Sequence, residues 1–551
     1  MRRLWGLLLA ATVIPSCSSD GAASDSSCDT APCTEPARTP SSTTLPDGGP
    51  ATPPPTALTL TLEPNQLVVK PGTSADVTVV VTRPSDLVEP LTVEVAKLPA
   101  NIDAITAAIP GDRTRASFRL TVGANAQQGT YAADVTVHGS SKTVTTRLPF
   151  SVIGAPGALE TAFGKGGRAT AAVDFAVTNI GVQPDGHVVL AGTAGAAAPH
   201  DHVAVRFDAL GVADAAFGSM GKAVFDYGGD DYAQDALVQR DGKIVIAGYL
   251  YTPETYAMII GRFNADGTQD PTFGTAGKIS LAPTVYNIFY GLHEQPDGKL
   301  LAAGIRHTGL DYNCSVTRFS AQGALDPSFG AGGYGTLDMG SQDYCLGVAT
   351  DSQGRVVVTG ERYNGTGYDM VSGRFTAAGV VDTTFGAPNG WVNSVPGAAL
   401  ISFGWTTLVQ PDGKMLVAGS GPGPSAAQDF MLYRYNDNGT PDATFGKDGK
   451  AAFDVGAWDR IYRIALDSQN RIVFVGPSSN DATARAVVGR VLPNGQIDTT
   501  FGQGGRVVLD FTPSGSDSAQ GLKILKDDHI LVGGTSTEAT KITAWVAKLW
   551  P

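Results

Sequence analysis

Aspartate is the residue type in this sequence whose spacing offers the most scope for chemistry. Carboxylates recur between apolar stretches at Asp174, Asp226, Asp338, Asp454 and Asp510, and further acids follow at Asp231, Asp343, Asp459 and Asp517. If the loops that carry them meet on one face, their oxygen atoms could bind Ca²⁺, which takes carboxylate and carbonyl ligands. The alternative is that each aspartate caps backbone amides in its own turn. Capping is the favoured interpretation because it does not require distant loops to meet. No cofactor other than Ca²⁺ is predicted.

Histidine forms one cluster, His200-Asp201-His202, after a run of alanines and Pro199. Two imidazoles separated by one residue can chelate a metal ion, yet the sequence identifies no third ligand. We therefore interpret the cluster as part of a solvated loop. No nucleophile elbow, phosphate-binding loop or dinucleotide fingerprint occurs where strand and helix context would support it. The sequence predicts no catalytic residue.

Two other series of polar residues recur so regularly that we do not expect either to form a single ligand site. An Asp-Gly turn, which the aspartate side chain itself stabilises, occurs at Asp185, Asp241, Asp297 and Asp412. Arginine precedes an apolar residue at Arg206, Arg262, Arg318, Arg374, Arg434 and Arg490. Because one ligand site rarely needs six equivalent residues, we predict that the arginines make a structural contact wherever they recur.

The five cysteines comprise Cys17 and two local pairs, Cys28 with Cys33 and Cys314 with Cys345. Neither pair has the spacing of a zinc site with a second pair. Cys314 and Cys345 stand on different strands of adjoining repeats, and export to an oxidising compartment would permit a disulfide between them. The alternative is two buried, unpaired thiols.

The N-terminus has the pattern of an export signal. Two arginines precede the apolar stretch 4–14, and Ser16 stands just before Cys17. Residues 1–16 are predicted to be a signal peptide whose end resembles the lipobox of bacterial lipoproteins, with Cys17 as the lipidated residue. An ordinary cleaved signal peptide is the alternative. Residues 17–56, rich in Ser, Thr and Pro, are predicted to be a disordered tether.

Residues 57–153 change to short runs in which apolar residues alternate with Thr or charged residues. This period of two is typical of half-buried strands, and turn signals such as Lys70-Pro71-Gly72 separate the runs. About seven strands in fewer than a hundred residues is the size of an immunoglobulin-like β-sandwich. That fold is the prediction for this segment.

Beyond Gly154 the chain repeats itself, with three phrases in a fixed order. Phe-Gly and a glycine-containing turn occur at Phe163, Phe217, Phe273, Phe329, Phe385, Phe445 and Phe501, 54 to 60 residues apart. The other phrases are a Gln-x-Asp-Gly turn leading into an apolar strand, and a strand ending in Arg plus an apolar residue. Asp-Gly and Asn-Gly turns favour hairpins because they need positive φ. Residues 155–551 are therefore predicted to form a seven-bladed β-propeller, which makes the whole chain all-β.

The phase of the repeat predicts that this ring is closed. The chain ends at Lys548-Leu549-Trp550-Pro551, inside the third phrase, whereas residues 158–167 supply an extra Phe-Gly element before the first complete unit. The N-terminal segment of the ring is expected to complete the sheet that the C-terminal strands begin. Closure of this kind removes open sheet edges.

These phrases, Gln-Pro-Asp-Gly-Lys with the following Ala-Gly, Arg-Phe-x-x-x-Gly and Asp-x-x-Phe-Gly-x-x-Gly, closely resemble the delta-60 repeat family of secreted bacterial proteins over residues 158–551. The resemblance implies a β-propeller related in shape to other extracellular propellers. It brings neither an established activity nor catalytic residues.

Composition and charge exclude some classes of function. The net charge of −13, without a cluster of Lys or Arg, argues against nucleic acid as a partner, and contact with a membrane is expected only through the lipid anchor. We expect a monomeric protein of the bacterial cell envelope, lipid-anchored or secreted, that binds or scaffolds a glycan, peptide or protein through its propeller loops. One alternative is a hydrolase or lyase that acts on an extracellular polymer in the propeller channel. A structural envelope component is the other.

Overall fold

A computed structural model describes residues 57–551 except 196–197, 254, 282–285, 310, 341, 395–400, 424–427 and 481–482. The predicted signal peptide, the tether, and the residues Cys17, Cys28 and Cys33 lie outside the described residues. Within the described part, no helix has the length and apolar character needed to cross a membrane.

Residues 57–153 form eight strands in two four-stranded sheets. The strands are β1 Thr59–Glu63, β2 Leu67–Val69, β3 Ser74–Thr82, β4 Thr92–Ala96, β5 Ile102–Ile105, β6 Arg115–Val122, β7 Gly129–His138 and β8 Thr143–Val152. One sheet has the order β1-β3-β6-β5 and the other β2-β8-β7-β4. The apolar residue of each alternating pair points inward, so that Val79, Phe118, Val135 and Phe150 lie in one shared core.

The rest of the chain is built from short strands that follow one another as antiparallel neighbours. After β9 Arg168–Thr170, the first repeat contains β10 Phe175–Val182, β11 Val188–Ala194, β12 Asp201–Phe207 and β13 Lys222–Phe225. The second contains β14 Asp230–Val238, β15 Ile244–Tyr251, β16 Tyr256–Phe263 and β17 Lys278–Ser280. The third contains β18 Ile288–Glu294, β19 Leu300–His307, β20 Tyr312–Phe319 and β21 Tyr334–Leu337. The fourth contains β22 Asp343–Thr350, β23 Val356–Tyr363, β24 Tyr368–Phe375 and β25 Trp391–Asn393, with an irregular turn, Gly386–Gly390, before β25.

The fifth repeat contains β26 Phe403–Val409, β27 Met415–Pro422, β28 Gln428–Tyr435 and β29 Lys450–Phe453. The short strand β30 Trp458–Asp459 pairs with both β28 and β32 and joins this sheet to the sixth repeat. The sixth repeat contains β31 Arg463–Leu466, β32 Ile472–Ser479, β33 Ala484–Val491 and β34 Arg506–Leu509, and the seventh contains β35 Ser516–Ile524, β36 Ile530–Glu538 and β37 Lys541–Leu549.

The first strands of the seven repeats form a closed cycle. Each contacts the next in the order β10, β14, β18, β22, β26, β31, β35, and β35 contacts β10. Strand β9 pairs antiparallel with β37 and completes the seventh sheet. The prediction that the two ends of this region share one sheet is confirmed.

Apolar cores lie between neighbouring sheets. The core between the first and second repeats contains Val189 and Ala204 from one sheet and Ile244 and Phe263 from the other. Because a neighbour covers each face of a sheet, the middle strands are buried on both sides and lack the alternation seen in residues 57–153.

A β-bulge interrupts the first strand of most repeats, and a glycine in the second strand stands opposite it. The pairing register shifts between Phe289 and Gly291, for example, where Gly304 faces Phe289. A Cβ on Gly304 would overlap the carbonyl oxygen of Ile288. The recurrent Ala-Gly phrase of the sequence is therefore required by the bulge, because only glycine allows this approach of two backbones.

Candidate functional site

The bulges direct one side chain from each of six repeats toward the middle of the cycle. In each bulge the pairing register skips one residue, and these residues are Thr178, Gln234, Tyr290, Leu346, Trp405 and Gln520. In the sixth repeat, Tyr462 and Arg463 stand at the start of β31. These side chains, with Val177, line one cavity of about 210 Å³. We call it the axial cavity.

Two polar atoms in the wall of the axial cavity lack a hydrogen-bond partner within the described part of the chain. They are the indole Nε1 of Trp405, a donor, and the amide Oε1 of Gln520, an acceptor, and both atoms are buried. The Trp405 ring contacts the ring of Tyr462 edge to face, with centroids 5.3 Å apart. Because buried polar atoms are normally satisfied, the cavity offers an unused donor and an unused acceptor.

An ion pair lies beside the cavity. Arg463 Nη2 is 2.6 Å from Asp235 Oδ1, and Asn179 Nδ2 donates to the same oxygen at 2.8 Å. The backbone amide of Leu292 donates to Asp235 Oδ2 at 2.9 Å. Arginine and carboxylate charges cancel here, so the polar wall presents hydrogen-bonding groups with little net charge.

A series of tyrosine rings leads to the side chain of Tyr290 in the wall of this cavity. Rings follow one another at centroid distances of 4.6 to 5.6 Å through Tyr232, Tyr249, Tyr256, Tyr286 and Tyr312. The side chain of Tyr286 hydrogen bonds to that of Tyr290, which lines the cavity, and burial raises the pKa of Tyr290. Its phenol therefore remains a proton donor at neutral pH. All five tyrosine rings are half-buried. We call this series of rings, which belongs to the second and third repeats, the aromatic mouth.

Carboxylates meet at two of the junctions between sheets. Asp226 lies with Asp201 and Asp231, and one oxygen from each is within 4.8 Å of one oxygen from the other two. Asp454 forms an equivalent group with Asp429 and Asp459. Burial raises the pKa of Asp231 to about 7, with added repulsion from Asp201 and Asp226, and burial raises the pKa of Asp459 to about 6.

The other aspartates of the predicted calcium series lie outside these two groups. Asp338 accepts a hydrogen bond from the amide of Gly340 at 2.9 Å, which is the capping role. Asp510 forms an ion pair with Arg485 at 3.1 Å. Asp174 is exposed in the connection between β9 and β10. The structure thus places Asp226 and Asp454 in two separate groups rather than bringing the five to one point.

The interpretation of His200-Asp201-His202 as a solvated loop is wrong for two of its residues. Asp201 and His202 belong to β12, where His202 pairs with Thr193 and Phe225. His202 is fully buried, and burial lowers its pKa to about 4. His200 instead bonds Asp230 through Nδ1 at 3.1 Å. The polar residues of the triplet did not indicate that β12 begins here. Asp201 is the residue of the triplet that joins a carboxylate group.

The recurrent arginines make the predicted structural contact. Arg262 Nε donates to Asp270 at 2.7 Å, Nη1 donates to the carbonyl of Ala321 in the next repeat, and the guanidinium lies over the ring of Phe273. The same arrangement recurs at Arg206, Arg318, Arg374 and Arg434. Arg490 keeps the aspartate and the phenylalanine ring, but its Nη1 has no partner among the described residues. Lys548 with Glu160 at 2.8 Å takes the place of the pair where the ends meet. The Asp-Gly aspartates accept backbone amides in their own turns, as predicted.

Cys314 and Cys345 are joined by a disulfide, with a Cα–Cα distance of 4.9 Å. Cys314 is in β20 of the third repeat and Cys345 in β22 of the fourth. The bond therefore links two neighbouring sheets through their buried strands.

A larger cavity of about 1160 Å³ lies at an outer edge, where Val392, Tyr433 and Phe453 contribute to its wall. The wall also contains Ser394 and Gly423, which are the last described residues before 395–400 and 424–427.

The cavity-lining residues were missed from the sequence, although a signal existed. Thr178, Gln234, Tyr290 and Trp405 each stand five residues before the glutamine of the Gln-x-Asp-Gly turn. This position varies in chemistry while the turn after it is repeated, and variability within a constant repeat is what a ligand-facing position would show.

The all-β architecture and the cycle of first strands define the class as β-propeller. Residues 239–273, 295–329 and 410–445 match a family described as "Domain of unknown function (DUF5122) beta-propeller". These segments lie in the second, third and fifth repeats, and the match supports a propeller type for these three repeats. No curated protein matches the chain. Among solved structures, the chain is similar to one described as "Chimeric titin Z1Z2 functionalized with a KLER exogenous peptide from decorin", with 14% identity, a TM-score of 0.12, and coverage of 37% of this chain and 94% of that chain.

Proposed function

We propose that this chain is an exported binding protein of the cell surface that holds a glycan-like ligand at the axial cavity and its aromatic mouth. The observation that carries the proposal is the pair of unused polar atoms, Trp405 Nε1 and Gln520 Oε1, in the wall of the cavity. A polyhydroxylated ligand would supply an acceptor to the first atom and a donor to the second.

The proposed architecture is a seven-bladed β-propeller preceded by an immunoglobulin-like β-sandwich. The cycle of seven first strands and the completion of the last sheet by β9 support the blade count. The two packed four-stranded sheets of residues 57–153 support the sandwich. In this arrangement the cavity is the inner end of the propeller channel, a common place for ligands in closed β structures.

The chemistry of the mouth favours a sugar over a strongly charged ligand. Tyrosine rings supply apolar faces for the C–H groups of a sugar ring, and their hydroxyl groups stay available for hydrogen bonds. Thr178 and Gln234 add neutral polar groups to the cavity wall. The paired charges of Asp235 and Arg463 leave no net charge to attract an ion.

The proposed cellular location is based on the sequence. A lipoprotein-type signal ending at Cys17, a tether over 17–56 and a sandwich before the ring would hold the mouth away from a bacterial membrane. The protein would act as a monomer, since the ring needs no second chain to close.

A glycan array with the full chain, followed by calorimetric titration of the sugars retained, tests the proposal. Trp405→Phe keeps an aromatic ring and removes the Nε1 donor, so we expect affinity to fall about tenfold, as for the loss of one buried hydrogen bond. Tyr312→Ala should weaken binding by removing part of the mouth. Trp550→Phe is the matched control, because Trp550 Nε1 donates to Gln128 of the sandwich, away from the cavity.

Other outcomes would support the other functions. Retention of a peptide or protein instead of a glycan, with the same response to Trp405→Phe, would keep the site and change the ligand class. Turnover of an extracellular polymer would identify a hydrolase or lyase. Blank binding assays, together with altered surface integrity on deletion, would identify a structural envelope component.

A further inference from the structure

We propose that Asp201, Asp226 and Asp231 form a binding site for a divalent, oxygen-preferring cation such as Ca²⁺, at the junction of the first and second repeats. Asp201 begins β12, Asp226 directly follows β13, and Asp231 is the second residue of β14. The cation would therefore tie three strand ends from two sheets together. It lies outside the axial cavity, whose lining includes none of the three residues.

The spacing of the three carboxylates suits such an ion. One oxygen of each lies within 4.8 Å of one oxygen of the others. Calcium–oxygen distances are about 2.3–2.6 Å, so ligands on opposite sides of the ion are separated by roughly twice that length. A single cation between the three oxygens would contact all of them without moving the backbone.

A buried oxygen independently points to a missing ligand. Asp231 is fully buried, and its Oδ2 accepts a hydrogen bond from the amide of Tyr227 at 2.5 Å. Its Oδ1 is buried without a hydrogen-bond partner among the described residues. A carboxylate oxygen left in this state costs free energy, and a bound cation removes that cost.

At the equivalent junction after the sixth repeat, an arginine side chain neutralises the carboxylate charge. Arg485 occupies the place of Asp201, five residues before the recurrent arginine, and forms an ion pair with Asp510 at 3.1 Å. There the inner aspartate, Asp517, is also fully buried, but both of its oxygens accept hydrogen bonds, Oδ2 from Phe511 and Oδ1 from Ser536. The unpartnered Oδ1 thus occurs where the guanidinium is absent, at Asp231 and equally at Asp343 and Asp459. Of these three, Asp231 and Asp459 lie in a group of three carboxylates.

Nearby positive groups do not replace the proposed ion. The ammonium group of Lys278 donates to the backbone oxygen of Asp226 and lies over the ring of Tyr227. No Lys or Arg of the described chain lies within ion-pair distance of the three carboxylates, and with Lys278 the group retains a net negative charge suited to a divalent ion. Asp226 Oδ1 also accepts the amide of Gly228 at 2.7 Å, so turn capping and cation binding are compatible at this residue.

Calcium titration of the chelator-treated full chain, by calorimetry and by thermal unfolding, tests the proposal. We expect Ca²⁺ to bind and to raise Tm. Asp226→Asn, at an exposed position that tolerates substitution, should weaken this site about tenfold or more, since calcium affinity depends on the number of charged ligands. Asp231→Asn should do the same. Asp174→Asn, at an exposed aspartate outside any carboxylate group, is the matched control.

Asp201→Arg provides a second readout that does not depend on loss of folding. It imitates Arg485 and should give a chain whose Tm without Ca²⁺ is close to that of the calcium-loaded wild type, with one binding site fewer. The proposal is overturned if millimolar Ca²⁺ neither binds nor raises Tm. It is equally overturned if the isotherms of Asp226→Asn and Asp231→Asn match the wild type.

Discussion

Arg463 Nη2 donates to Asp235 Oδ1 at 2.6 Å, although the two residues are 228 positions apart in the sequence. Asp235 belongs to β14 and Arg463 to β31, and these strands are not neighbours in the cycle. The pair therefore spans the middle of the ring and connects repeats that share no sheet contact. It fixes the position of the cavity wall from two sides.

Removal of one partner from this pair should be more harmful than removal of both. Asp235→Ala leaves the guanidinium and the Leu292 amide without their acceptor, so we expect the free energy of unfolding to fall by about 3 kcal/mol. The double variant Asp235→Leu with Arg463→Met should lose less, because no charge remains buried. Urea denaturation of the three proteins measures both values. Equal losses in the single and double variants would contradict the expectation.

Glu361 should make the free energy of unfolding depend on pH between about 4.5 and 8. Burial raises the pKa of its carboxyl group to about 8 from the ordinary value of about 4.5. The folded protein therefore binds a proton that the unfolded chain releases, and stability falls as the pH rises from 4.5 through 8. Glu361→Gln removes this dependence and should be more stable than the wild type by about 5 kcal/mol at pH 9.

Thermal unfolding of Glu361→Gln and the wild type at pH 4 and pH 9 checks this sign. The two proteins should differ little at pH 4 and most at pH 9. A wild type that gains stability relative to the variant at high pH would refute the assignment.

The disulfide between Cys314 and Cys345 should stabilise the ring. It closes a loop with a sequence separation of 31 residues, for which a loss of about 3 kcal/mol on removal is expected. The double variant Cys314→Ala with Cys345→Ala should have a lower Tm than the oxidised wild type. Reductant should lower the wild-type Tm toward that of the variant and leave the variant unchanged; an unchanged wild type would show that the bond contributes little.

Gly304→Ala should disrupt the third repeat because the new Cβ would overlap the carbonyl oxygen of Ile288. We expect a loss of at least about 3 kcal/mol, as for other severe clashes in a buried strand. Gly367→Ala is the matched control, since its Cβ would meet only Ile401 Cγ1 at 3.6 Å. Chemical denaturation should separate the two variants, and equal stability would mean that the bulge relaxes freely.

The closing contact of the ring should be weaker than its internal counterparts. Glu160 pairs with Lys548, and both side chains are more than a tenth exposed, whereas Asp270 with Arg262 is almost wholly buried. Asp270→Ala should cost about 3 kcal/mol and Glu160→Ala about 1 kcal/mol. Denaturation curves of the two variants measure the difference, and a larger loss for Glu160→Ala would identify the joint between the ends as the critical contact.

The repeat phrases determined the architecture because each has a local physical cause. The Asp-Gly turns need positive φ, the Ala-Gly phrase allows the bulge, and the Arg-to-Asp contact spans eight residues of one repeat and reaches into the next. The phase of the repeat also predicted that β9 would complete the last sheet. These features depend on residues that are close in sequence or on the equivalent residues of the adjoining repeat.

Only the tertiary structure decided which side chains meet across the ring and between sheets. The axial cavity collects one bulge position from six repeats and Tyr462 and Arg463 from the sixth repeat in the chain. Asp235 meets Arg463 because the first strands of the repeats form a closed cycle. The spacing of the aspartates likewise predicted candidate ligands, but it did not predict which of them lie close together. Asp201 joins Asp226 and Asp231 from a neighbouring strand, whereas Arg485 stands at the equivalent position of the sixth repeat. Periodicity specifies a sheet, whereas a site depends on distances between residues that the sequence keeps far apart.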